Sequence, residues 1–167
     1  MLNFLFPRLT RPPNQGEALF DTLTKEARKP HWYVDGQVPD TIDGRFRVLA
    51  TLVALAAVRL ESGGDQLSVA LTERFIEVME SEHREMGLGD PTLGKKVRKL
   101  VGSLARRVEL WRKAAAGSEE WVETARQSLY PLEAADESVR HSAQALENFW
   151  AALQSSDEGL LASGQIG

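Results

Sequence analysis

Apolar residues recur at three- and four-residue spacing along almost the whole chain. This period turns one face of an α-helix inward and leaves no long alternating run for a strand. Leu19, Phe20, Leu23 and Ala27 predict a first helix over about residues 16–29, ended by Pro30. A second begins at Asp40 or Thr41, with Asp43 well placed in its first turn, and is apolar almost all round from Phe46 to Leu60. Such a helix needs neighbours on several sides, so it is expected at the centre of the fold. After Gly63-Gly64, a third helix starts at Asp65 or Ser68 and buries Leu67, Ala70, Leu71, Phe75, Val78 and Met79, with Gly87 closing it. Thr92 is expected to cap a fourth helix running to Ala116. On it, Leu93, Leu100, Val101, Leu104, Val108 and Trp111 lie within about 60° of Val97 on a helical wheel. Ser118 is expected to cap a fifth helix that Tyr130-Pro131 stops, and a sixth runs from Asp136 to Leu153. Only Trp32-Tyr33-Val34, between Pro30 and Asp35-Gly36, reads as extended. The pattern predicts an all-α, single-domain bundle of about six helices around a central apolar helix. Residues 1–13 are expected to be flexible, 14–155 to form the helical domain, and 156–167 to be a loose tail.

Composition narrows the chemistry. The 167 residues include no cysteine, which removes disulfides, thiol nucleophiles and thiolate metal sites, and three histidines leave little for an imidazole site. The longest apolar run, Val48 to Val58, is 11 residues, well short of the roughly 20 that span a bilayer. At the start, Leu2, Phe4, Leu5 and Phe6 precede Arg8 and Arg11, the reverse of a secretory signal, so a cytoplasmic location is expected, peripheral to the inner membrane if any apolar or basic face touches it.

Two runs imitate catalytic motifs. Gly89 to Lys96 fits G-x-x-x-x-G-K, but a charged helix stands where a phosphate-binding loop needs a buried strand, and Lys96 replaces the magnesium-binding hydroxyl. Glu80 to His83 fits the Glu-x-x-His unit of helical di-iron sites, which need two copies; the chain has one. No enzymatic activity and no cofactor are expected.

The fourth helix carries Lys95, Lys96, Arg98, Lys99, Arg106, Arg107, Arg112 and Lys113 against Glu109 alone, in a chain of net charge −4. Two readings stand: a solvated face neutralised by acidic neighbours, or a face that docks on anionic lipid or ribosomal RNA through Lys95, Lys96, Arg98, Lys99, Arg106 and Arg107.

Two motifs carry a family resemblance. One is Val38-Pro39-Asp40-Thr41-Ile42-Asp43-Gly44-Arg45-Phe46; the other is Arg84-Glu85-Met86-Gly87-Leu88-Gly89-Asp90 followed by Gly94-Lys95-Lys96-Val97. With Leu129-Tyr130-Pro131, they resemble the ubiquinol–cytochrome c chaperone family, assembly factors of the cytochrome bc1 complex. The resemblance implies an all-α fold, no catalysis, and binding of nascent or newly inserted cytochrome b, with the ribosome or a second assembly factor as further partners. The chain departs from the family pattern in its fourth helix. Ser103-Leu104-Ala105-Arg106 stands where an aromatic-glycine pair is expected, and Leu110-Trp111-Arg112 where a Tyr-Asp is expected. A chaperone for a membrane subunit needs apolar side chains left in solvent. The candidates are Trp32, Tyr33 and Val34, with Ile42 and Phe46 beside them. Core packing competes for Ile42 and Phe46, and a loop with two adjacent aromatics buries only one easily. Replacing Trp32 and Tyr33 together by alanine is expected to weaken client capture and leave the fold intact.

Overall fold

The computed structural model describes residues 16–87 and 89–167, and among these every regular element is helical. In chain order these are α1 (Glu17–Ala27), α2 (His31–Val34), α3 (Ile42–Leu60), α4 (Asp65–Glu85), α5 (Asp90–Ala115), α6 (Trp121–Leu129), α7 (Asp136–Ser155) and α8 (Glu158–Ala162). The expected N-terminal segment lies outside the described residues.

The central element is α3, which touches α1, α4, α5, α6 and α7. Every residue from Val48 to Ala57 is buried, as expected for a helix apolar on all sides. Thr51, the polar member of that run, donates its hydroxyl to the Arg47 carbonyl at 2.8 Å and so brings no unmet group into the core. Ala50, Ala54, Ala56 and Ala57 are small enough for neighbouring helices to approach closely. Around α3 pack Leu19 and Leu23 of α1, Leu71 and Phe75 of α4, Leu104 and Trp111 of α5, Leu129 of α6, and Leu146 and Leu153 of α7.

Four elements differ from the expectation. Trp32-Tyr33-Val34 is not extended but forms α2, because the Pro30 carbonyl accepts the amides of Tyr33 and Val34 and the resulting turn carries Trp32 inward. The fourth helix starts at Asp90 rather than after a Thr92 cap, with Pro91 in the first turn, where its missing N–H costs nothing. Ser118 does not cap a helix. It completes the end of α5, where Gly117 has φ +79° and the amides of Gly117 and Ser118 reach back to the carbonyls of Ala114 and Lys113.

The tail is folded too. The Asp157 side chain accepts from the Leu160 amide to start α8, Leu161 is buried, and Thr22 of α1 donates to the Gly164 carbonyl at 2.7 Å. Arg59 donates to the carbonyls of Leu153 and Ser156, giving the end of α7 the donors its last turn lacks.

Candidate functional site

The segment from Pro30 to Phe46 is held by bonds that begin at the end of α1. A helix leaves its last carbonyls without partners. The Trp32 indole N–H donates to the Glu26 carbonyl at 3.0 Å, and the Tyr33 hydroxyl donates to the Ala27 carbonyl at 2.7 Å. Trp32 is fully buried by this arrangement, whereas Tyr33 is half-buried, and burial raises the pKa of its phenol. The indole is therefore a structural anchor rather than an exposed contact, because it supplies a donor to α1 and apolar area to the core in one position. Val34, next along, points outward at 65% exposure.

A second clasp ties this loop to the turn between α6 and α7. Tyr130 has one hydroxyl proton, which goes to the Gly36 carbonyl at 2.5 Å; the Ser142 hydroxyl then donates to the phenolic oxygen at 2.8 Å. A side chain at position 36 would meet Ser142 Oγ at 2.5 Å, so the fit requires glycine. Beyond it, Thr41 caps α3 by accepting from the Gly44 amide, while Asp40 pairs with Arg45 and Asp43 with Arg47.

On these clasped segments stand the three most exposed large apolar side chains among the described residues: Leu132 at 82%, Ile42 at 74% and Val34 at 65%. Ile42 thus departs from the core-packing alternative. Phe46 is half-buried, with the Phe75 ring 5.9 Å away and the Arg107 guanidinium 5.7 Å from its centroid. Leu132 was not singled out from the sequence. Its signal is an apolar residue just after Pro131 with no helical partner to bury against.

The basic candidates divide. Lys95, Lys96, Arg98, Lys99 and Arg106 are exposed and form no ion pair among the described residues. Arg107 does not belong with them, being 7% exposed. Its guanidinium donates to Ser103 Oγ and, at 2.9 Å, to the Ser128 carbonyl in the last turn of α6, an end that favours a cation. Burial, with Arg47 nearby, lowers its pKa to about 10, so it stays charged at neutral pH. Arg112 is engaged by Glu61 and Glu109.

The two motif-like runs have ordinary structural roles. Gly94 to Lys96 lie inside α5, and Glu80 pairs with Arg84 while His83 bonds the Met79 carbonyl. Among the described residues no three His, Cys, Asp or Glu side chains converge to hold a metal ion.

α2 also meets α7 through His31, whose Nδ1 lies 3.1 Å from Nε2 of His141. Burial, and then the neighbouring His141, lower the pKa of His31 below its ordinary 6.5. The unfolded chain therefore binds this proton more readily, so the stabilising contribution is complete above about pH 6.5 and is lost as pH falls below it. The melting temperature should fall on acidification from pH 7.5 to about 5.5, and His31→Asn should flatten that part of the profile.

The family model described as ubiquinol-cytochrome C chaperone matches residues 34–125, more than half of the chain. The crystal structure of the Cbp3 homolog from Brucella abortus superposes with a TM-score of 0.79 at 23% identity, covering 100% of this chain and 96% of that one, and so shares its fold. No curated protein matches the sequence. The matched span contains the clasped loop from Val34, all of α3, the α4–α5 hairpin and most of α6, and on that match the chain belongs to the ubiquinol-cytochrome C chaperone family.

Proposed function

We propose that this chaperone binds an apolar segment of newly made cytochrome b during assembly of ubiquinol–cytochrome c reductase, by contact and without catalysis. The contact surface in this reading is Val34, Ile42 and Leu132, with Tyr33 and Phe46 at its margins. The observation that carries it is the exposure of those three aliphatic side chains on the two segments that Tyr130 fastens together. Single exposed aliphatics are normal on any surface. Here the three largest exposures among the described residues stand on two segments joined by the Tyr130–Gly36 hydrogen bond, which meets part of the ordering cost before a client arrives. Covering one such side chain is worth about 1.5–3 kcal/mol.

The test is capture of cytochrome b translation products by the purified protein. Changing Val34, Ile42 and Leu132 together to serine is expected to weaken capture by at least about tenfold, while the melting temperature stays unchanged because none of the three is in the core. Undiminished capture by a folded variant would remove this surface from the reading. A second assembly factor is a further partner under this proposal, and addition of candidate factors to the same assay reads it directly.

A further inference from the structure

The outer face of α5 has no assigned role, and its cations form no ion pair among the described residues. Lys95, Lys99, Arg106 and Lys113 lie along one line of the helix opposite its buried stripe, a row about 27 Å long at 1.5 Å per residue. Lys96 and Arg98 flank its first half. All six are exposed, and none has an ion pair among the described residues. On α4 and α5, Glu109 is held by Arg112, Glu80 by Arg84 and Glu77 by Arg74, while the exposed Glu82 and Glu85 form no ion pair with the row. Six unpaired cations thus stand on one helix of a chain whose net charge is −4.

We propose that this face docks on the headgroup surface of an anionic lipid membrane. The row is straight and lies on the outside of a single helix, so a plane can meet all of it at once. Four of its six cations are lysines, compact charges suited to a diffuse field rather than to bidentate phosphate recognition. Base-stacking nucleic-acid binders need exposed aromatics among their cations, and the one aromatic of α5, Trp111, is fully buried against Trp121. No helix of the described residues is long and apolar enough to cross a bilayer, so contact of this kind is peripheral and reversible.

The experiment is cosedimentation of the full chain with phosphatidylcholine vesicles, with and without about one third phosphatidylglycerol. Binding is expected only to the anionic vesicles and is expected to be released by about 0.5 M salt. K95E/K96E/K99E is expected to reduce it by about tenfold or more, with circular dichroism unchanged. K25E/R28E/R140E alters net charge equally at exposed positions elsewhere and is expected to retain binding. The proposal is overturned if the α5 variant binds like the parent, if both variants lose binding equally, or if neutral vesicles bind as well as anionic ones. It is also overturned if the parent ignores anionic vesicles while sedimenting with ribosomes.

Discussion

Trp32→Ala is expected to lower the free energy of unfolding by about 3–5 kcal/mol, seen as a lower urea midpoint with an unchanged slope. The indole is fully buried and donates to the Glu26 carbonyl, so its removal leaves a cavity and takes away one of the two donors to that carbonyl, the other being the Lys29 amide at 3.2 Å. α2 has four residues, too few to persist without tertiary anchors. The expectation that Trp32 and Tyr33 can be removed without harm to the fold is therefore replaced. Any loss of capture in Trp32→Ala reports the loss of the platform that displays Val34, which is why the serine variants test the surface more cleanly.

Gly44→Ala is expected to destabilise the fold by about 3 kcal/mol. Helix propensity argues the other way, since alanine is favoured over glycine in a helix interior by about 1 kcal/mol. Space decides the sign. A Cβ at position 44 would sit 1.7 Å from the Pro39 carbonyl oxygen and 2.8 Å from its carbon. Both atoms are backbone, so no side-chain rotation relieves the overlap. Either the first turn of α3 unwinds, breaking the Thr41 cap, or the loop carrying Pro39 shifts and draws on the Gly36–Tyr130 bond. Thermal melts decide between the two: a rise in melting temperature would show that propensity prevails and that the Pro39–Gly44 approach is slack.

These results separate what the sequence discloses from what only packing determines. The burial of Val48–Ala57 was legible, because no side of that helix offers polar residues to water. So was the turn at Gly87, since a left-handed position after a charged helix calls for glycine. Trp32 was not legible as an anchor. Its partner is a carbonyl six positions back, and nothing local distinguishes an indole aimed at a helix end from one aimed at solvent. Arg107 flanks the buried stripe much as Lys96 and Arg98 do and is set apart from them by facing the last turn of α6, a neighbour that periodicity within α5 does not reveal. Ile42 shows the converse. It is the first residue of α3, between exposed Thr41 and Asp43, and its side chain faces outward before α3 enters the bundle. The tail was misjudged because its anchors, Leu161 and the carbonyl of Gly164, are single contacts rather than a repeating stripe.

The stitch between Thr22 and Gly164 joins positions 142 residues apart. As the polypeptide leaves the ribosome, α1 must wait for α8 and Gly164 before this flank is closed. Contacts this distant in sequence slow the search for the native state. Closure of this flank of α1 therefore waits on the segment that carries Gly164, and a chain cut before that segment leaves the flank uncovered.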